Sequence, residues 1–388
     1  MRILYVSFIK PSEKFGGGLV ILQTLSTLCK IAEIDYIGLD FDYKDFKKYR
    51  INPVNNFVVK PSVSKINRII NFIIRGVTSS YYQDWKKISK GIDFHRYDYV
   101  YMDFTRHSFV ADWAYKNNIP LVIRAHNVEA DYANAMYKNN KTIKHWIQKV
   151  VAKKNEKRCV KKSAQVITLT NYEKDRFQKL YDEPENKFSI IPVCVKKFND
   201  VDQLKNHKPY ILITGSLWFG PNADGALWFL EKVWPDLERE YGNRIDLIIA
   251  GANPNQEIFK LADKMKNIKI FENPKEIGIF YKGAYIYVAP IFYGAGMKVK
   301  IAEALSCGLH VVTTSHAVLG YEASKKYIYV ADDAKTFKTA IRKLLQKDKL
   351  TIEKERKEIV QIFEDQYSME KSVLLLKGIF ENLNEVYR

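Results

Sequence analysis

Cysteine is scarce in this chain: four in 388 residues, Cys29, Cys159, Cys194 and Cys307, with no CxxC pair and no metal spacing. That scatter excludes a disulfide framework and a zinc ribbon, and points to reduced, structural thiols in the cytoplasm. Long apolar runs are missing too, since none approaches the ~20 residues a bilayer-spanning helix needs. The segment Met1 to Ile9 is too short and too soon interrupted for a secretory signal, and its Ile3, Leu4, Val6 and Phe8 fit a first buried strand. No solenoid period and no low-complexity tract is present. Acidic residues are outnumbered, 44 against 62 Lys and Arg, for a net charge of +18. Such an excess suits anionic partners (nucleotide diphosphates, lipid-linked phosphates, a membrane surface or nucleic acid), unless it reflects a lysine-rich background.

What is present is an alternation of strand-like runs with helical patterns, which argues for α/β architecture with parallel sheets covered by helices. At this length the chain has room for two such cores. The first half reads as strands at Ile3–Phe8, Ile34–Leu39, Phe57–Val59, Tyr99–Phe104, Pro120–Ala125, Val166–Thr170 and Ser189–Val195. The polar stretch from Lys196 to Lys208 breaks the periodicity and reads as a linker. Strands resume at Tyr210–Thr214, Asp246–Ala250, Ile268–Phe271, Tyr285–Ala289, His310–Thr314 and Tyr327–Val330, and the stretch from Thr351 to Arg388 is helical by pattern.

Two helical segments carry a second message. From Lys138 to Lys162 ten Lys and Arg stand against a single Glu156, while Ile143, Trp146, Ile147, Val150 and Val151 form an apolar stripe. A basic amphipathic helix of that type lies on an anionic membrane, binds a partner, or is simply a solvated face. Between Ser64 and Gly91, Ile66, Ile69, Ile70, Ile73 and Ile74 form an apolar face beside Tyr81, Tyr82 and Trp85, suited to a core helix or to a lipid-linked acceptor.

The most informative stretch is Pro290 to Val312: an apolar strand, a Gly-x-Gly turn at Gly294 and Gly296, then a helix containing Lys298, Lys300 and Glu303. A glycine turn at a helix N-terminus presents backbone N–H groups to a phosphate. Here Gly294, Ala295, Gly296 and Met297 would offer theirs, and Glu303 would reach a ribose. With the run from Thr214 to Leu230 (Gly215, Ser216, Asn222) and Leu247 to Gly251, this resembles the donor-binding signature of retaining GT-B glycosyltransferases, glycosyltransferase family 4 of the group 1 type.

The resemblance implies two Rossmann-like domains facing a cleft. Residues 1–200 would bind the acceptor and 201–365 the nucleotide-sugar donor, with a helix at 366–388 crossing back. It implies sugar transfer from a nucleotide-sugar to a hydroxyl acceptor, a glycan or lipid-linked molecule, with retention, in polysaccharide or glycolipid assembly. It also implies that no cofactor or metal is needed, and no Asp-x-Asp motif stands on a plausible loop. Glu303 would hold the ribose; Gly215, Ser216, Asn222 and Gly251 would line the donor site; Lys298 and Lys300 would neutralise the diphosphate. His126 would lie near the donor sugar, and Gly17, Gly18, Arg124 and Glu129 would face the acceptor or the cleft. The chain departs from the pattern twice: Ala295 stands where the family carries a first glutamate, and the Arg after the first donor-domain strand is missing. Other readings are a nucleotide-sugar epimerase on the same fold and a basic nucleic-acid-binding protein. No nucleic acid is expected as a partner of the transferase, which would be cytoplasmic and peripheral at the inner membrane face through residues 141–162.

Overall fold

The computed structural model describes the chain except residues 14, 63, 65–79, 199–200, 206 and 388. The apolar face expected from Ile66 to Ile74 lies outside the described residues. The chain forms two compact units, Met1–Pro192 with Ser372–Arg388, and Val193–Lys371.

The first unit is built on β1 (Arg2–Ser7), β2 (Glu33–Gly38), β3 (Asn55–Val58), β4 (Tyr99–Asp103), β5 (Leu121–Arg124), β6 (Gln165–Thr168) and β7 (Phe188–Ile190). They pair in parallel in the order β3-β2-β1-β4-β5-β6-β7. The second unit holds β8 (Tyr210–Ser216), β9 (Asp246–Ala252), β10 (Ile268–Glu272), β11 (Ile286–Ala289), β12 (His310–Thr313) and β13 (Ile328–Val330), ordered β10-β9-β8-β11-β12-β13. Both sheets are covered by helices, which is why strands such as β1 and β11 read as continuous apolar runs and not as alternations. Each order reverses once, at β1/β4 and at β8/β11. In parallel α/β sheets, ligands bind beyond the strand C-termini at such switch points.

One strand is shorter than its sequence suggests. The run Ser189–Val195 pairs only as far as Ile190, because Pro192 has no N–H for the ladder. The N–H of Val195 donates instead to the carbonyl of Tyr367 at 2.8 Å, where the helix Lys349–Tyr367 ends. The next helix, Met369–Tyr387, packs within the first unit: Tyr99 donates its hydroxyl to Asn384 Oδ1 at 2.9 Å, and its ring lies 5.0 Å from that of Phe380.

The basic segment is a helix from Ile143 to Lys162, capped by the Thr142 side chain, which accepts from the N–H of His145. Its C-terminal half is anchored through buried Asn155, Glu156, Cys159 and Val160. The lone acid of the basic run has an internal task. Glu156 accepts from the N–H groups of Glu129 and Ala130, from Thr105 Oγ1 and from the Tyr181 hydroxyl, at 2.6 to 3.0 Å. It thereby closes the N-terminus of the neighbouring helix, Glu129–Asn139. The N-terminal half of the basic helix is uncovered within its unit: Ile143 is 80% exposed, Trp146 52% and Val150 47%. Tyr132 and Met136 of the neighbouring helix are exposed as well.

Candidate functional site

In the second unit the loops after β8 and β11 meet at the switch point. Gly215, at the end of β8, has φ +147°, and a Cβ there would stand 2.6 Å from Lys300 Nζ. Only glycine combines that backbone with so close a neighbour. Lys300 belongs to the helix Val299–Ser306 after β11, and its ammonium donates to Asn222 Oδ1 at 2.6 Å and to the Thr214 carbonyl at 3.0 Å. Asn222 in turn donates to the Ser216 carbonyl at 3.0 Å. Lys300 thus carries a cation across to the end of β8, where the sequence has no Arg. Burial pushes its pKa down to about 7, with Glu303 pulling it up and Lys298 pushing it further down.

Lys298 acts locally. Its ammonium donates to the carbonyls of Gly296 and Ala295, at 2.6 and 3.2 Å, stapling the glycine turn. His316 Nε2 lies 2.7 Å from the Gly294 carbonyl on the other side. Gly294 and Gly296 have φ of +108° and +70°, and Ala295 between them is exposed. The Met297 side chain turns inward, its sulfur 3.5 Å from the N–H of Val193.

Glu303 is half-buried and accepts from the Tyr281 hydroxyl at 3.0 Å. Behind it, Thr214 Oγ1 lies 2.5 Å from the Tyr281 hydroxyl and 3.0 Å from that of Tyr287. Burial holds both phenols above their ordinary pKa, so they stay protonated. This chain of hydroxyls fixes the carboxylate before any ligand arrives. A Cβ on Gly251 would come 1.9 Å from the Gly215 carbonyl, so it permits β8 and β9 to approach and is a packing residue.

In the first unit, the glycines after β1 form no loop: the helix Gly16–Leu28 begins with them. A Cβ on Gly18 would clash with the backbone of Ser12 and Lys10, whereas Gly17 meets only ordinary contacts. Arg124 and Glu129 are buried and internally engaged, which corrects their reading as acceptor contacts. Arg124 donates to the Pro192 carbonyl at 3.2 Å, and Glu129 pairs with Arg106 at 2.6 Å. Burial pushes the Glu129 pKa up to about 7, against the pull of Arg106.

His126, after β5, has its Nε2 2.7 Å from Asp103 Oδ1, at the end of β4. The other oxygen of Asp103 accepts from the Tyr5 hydroxyl. Phe104 follows with φ +67°, a conformation costing a bulky residue about 1–3 kcal/mol, and its ring lies 4.3 Å from that of His126. Sequence reasoning missed Asp103; its position at the end of a strand beside a switch point was the available signal. Burial lowers the His126 pKa against the opposing pull of Asp103. The neutral ring then donates Nε2–H to the carboxylate and keeps Nδ1 as an acceptor. In Asp103→Asn the amide can donate to Nε2, and the ring is expected to convert to the Nδ1–H form, read from imidazole 15N shifts. An unchanged pattern would show that Asp103 does not set the tautomer.

Asp-x-Asp spacing does occur at Asp40 and Asp42, but Asp42 caps the helix Tyr43–Lys48 and Asp40 accepts from the N–H of Phe41. It recurs at residues 200 and 202, the first outside the described residues. Among the described residues no group of three or more His, Cys, Asp or Glu is arranged to hold a metal.

Two family patterns match the chain: "Glycosyltransferase Family 4" over residues 57–196 and "Glycosyl transferases group 1" over residues 208–347. The O-antigen chain mannosyltransferase RfbU of Salmonella typhimurium is 25% identical over 210 residues, 52% of this chain and 56% of that protein. The chain spans about half the length of the curated relatives it matches. The crystal structure of WaaG, a glycosyltransferase involved in lipopolysaccharide biosynthesis, superposes with TM-score 0.65 at 16% identity, covering 96% of this chain and 98% of WaaG. Anabaena Alr3699/HepE in complex with UDP-glucose gives TM-score 0.68 at 13% identity, covering 99% and 100%. At such identities the structures speak for the fold, two Rossmann-like units of GT-B type, and the two matched patterns speak for the family. With a glycine turn, a fixed carboxylate and a carried-over lysine at its β8/β11 switch point, the chain belongs to the group 1, family 4 glycosyltransferases of GT-B fold.

Proposed function

We propose that this protein moves a sugar from a nucleotide-sugar to a hydroxyl acceptor, with retention of configuration and without an essential metal, in cell-surface polysaccharide or glycolipid assembly. The observation that carries the reading is the convergence of Lys300, Asn222, Gly215 and Glu303 on one switch point. The leaving group of such a transfer is a nucleoside diphosphate. Lys300 meets its developing charge, together with the N-terminus of the helix Val299–Ser306 and the N–H groups of the glycine turn. Lys298 holds that turn in shape. Glu303, fixed by Tyr281, accepts from the ribose hydroxyls. His126, held by Asp103, offers Nδ1 to a hydroxyl of the transferred sugar. No side chain is assigned as a covalent nucleophile.

The protein would work in the cytoplasm, peripheral to the inner membrane face. Among the described residues no helix is long and apolar enough to cross a membrane, and the basic helix Ile143–Lys162, exposed over its N-terminal half, offers a reversible alternative.

The test follows nucleoside diphosphate release from a panel of nucleotide-sugars, with and without an acceptor extract. UDP-glucose comes first because a structural neighbour binds it. Release from at least one donor is expected. Glu303→Gln should raise the donor KM by about 10- to 100-fold, the worth of a charged hydrogen bond, with the fold intact by circular dichroism. No release from any donor would sink the transferase reading, and an unchanged KM and kcat in the variant would remove Glu303 from the site.

A further inference from the structure

The end of β12 and the loop after it supply a row of donors to the carbonyls of the loop leaving β11. Thr313 Oγ1 donates to the Ala289 carbonyl at 2.7 Å, Thr314 Oγ1 to that of Ile291, and the Tyr321 hydroxyl to that of Lys298 at 2.8 Å. His316 Nε2 meets the Gly294 carbonyl between them at 2.7 Å. A carbonyl only accepts, so Nε2 carries the proton. Burial and the charge of Lys298 hold the His316 pKa down, against the pull of the Gly294 carbonyl, which keeps the ring neutral. The two loops are pressed together: Gly320 has φ +90°, and a Cβ on it would stand 2.6 Å from the Met297 side chain.

Bonding within the glycine turn is one-sided. The carbonyls of Gly294, Ala295 and Gly296 are held by His316 and Lys298. The N–H groups of residues 294–297 have no acceptor among the described residues. In a planar trans peptide the C=O and the N–H of the following residue point in opposite directions. His316 therefore sets the direction of the Ala295 N–H, as Lys298 sets those of Gly296 and Met297, each turned away from its tether. Glycine's freedom at positions 294 and 296 would otherwise let these peptide units rotate. Successive open N–H groups in a turn are the elements of an anion-binding concavity.

We propose that His316 is a positioning residue for the nucleoside diphosphate. Its Nε2–H holds the peptide unit between Gly294 and Ala295 so that the Ala295 N–H faces the anion. This rests on the glycine turn being the diphosphate site of the proposed transfer. His316 does for this peptide unit what Lys298 does for the next two, and as a neutral ring it adds no charge of its own.

Calorimetric titration with UDP, GDP and ADP, and ligand-detected NMR with the nucleoside of the tightest binder, test the assignment. At least one nucleotide is expected to bind the wild-type protein. His316→Ala should weaken that nucleotide about five- to tenfold, the scale of one lost hydrogen bond, while binding of the nucleoside is unchanged. His316→Gln, whose amide N–H can reach the same carbonyl, should recover most of the lost affinity. A general loosening of the unit would weaken nucleotide and nucleoside alike, and an amide of different shape would not repair it. The assignment is overturned if His316→Ala binds the nucleotide as the wild type does, if it loses the nucleoside to the same degree, or if His316→Gln recovers nothing. Failure of all three nucleotides to bind the wild-type protein would overturn the donor reading and this assignment with it.

Discussion

Lys300→Ala is expected to lower kcat/KM for the donor by about 10²- to 10³-fold, the loss typical of removing one preorganised donor from a developing anion. Lys300 is tied to the end of β8, and the sequence holds no arginine between that strand and Arg239. Its depressed pKa of about 7 gives a second signature. Above pH 7 the donor-free protein holds Lys300 increasingly neutral, so binding a diphosphate must take up a proton. UDP affinity should therefore fall as pH rises beyond 7, approaching tenfold per unit, and Lys300→Ala should flatten that dependence. For stability the sign is opposite. Between the folded value near 7 and the ordinary value of 10.5 the unfolded chain binds more protons, so the fold gains stability as pH rises through that window. Lys300→Met should raise the melting temperature more at pH 6 than at pH 10. Calorimetric titration with UDP in buffers of different ionisation enthalpy reads the proton. Wild-type activity in Lys300→Ala, or UDP binding independent of pH, would dismiss this role.

Changing Lys144, Lys153, Lys154 and Lys157 together to Glu is expected to abolish binding to vesicles rich in anionic lipid. All four are exposed on the basic helix, whereas Lys149 is engaged with the Tyr137 ring at 5.2 Å. Each basic residue near such a surface contributes about 1 kcal/mol, so losing four costs about 4 kcal/mol before repulsion is added. That corresponds to roughly 10³-fold in affinity. Ile143, Trp146 and Val150 add apolar contact, and Trp146 emission should shift to the blue on binding. Sedimentation with phosphatidylglycerol vesicles in low and high salt measures the effect. Equal binding to neutral vesicles, or no response to the four changes, would leave this helix as a solvated face.

Much of the fold was legible because both sheets are parallel and covered on two sides. Thirteen strand-like runs in the sequence correspond to the strands β1 to β13, since a doubly buried strand must be apolar throughout and glycine or polar turns must separate it from the next helix. The run at Ser189–Val195 was read too long because the pairing of its far end depends on Tyr367, distant in sequence. The basic helix was also legible in extent, but not its outcome. That Glu156 is buried and bonded four ways, and that Trp146 stands in the open, depends on what packs against each turn.

The sequence by itself determined the α/β class, the glycine turn at Gly294 and Gly296, and the helix carrying Lys300 and Glu303, because these follow from local spacing and from glycine's freedom at positive φ. It could not say which candidates are ligand-facing. Only the tertiary structure made Lys300 the cation at the end of β8, turned Lys298 onto its own loop, gave Gly251 a packing role, and paired Glu129 with Arg106. It also brought Asp103 to His126 and Tyr281 to Glu303, each pair separated by more than twenty residues. A side chain's task is set by its nearest hydrogen-bond partner, and for Lys300, Glu303 and His126 that partner comes from another element more than twenty residues away, which the order of residues along the chain does not reveal.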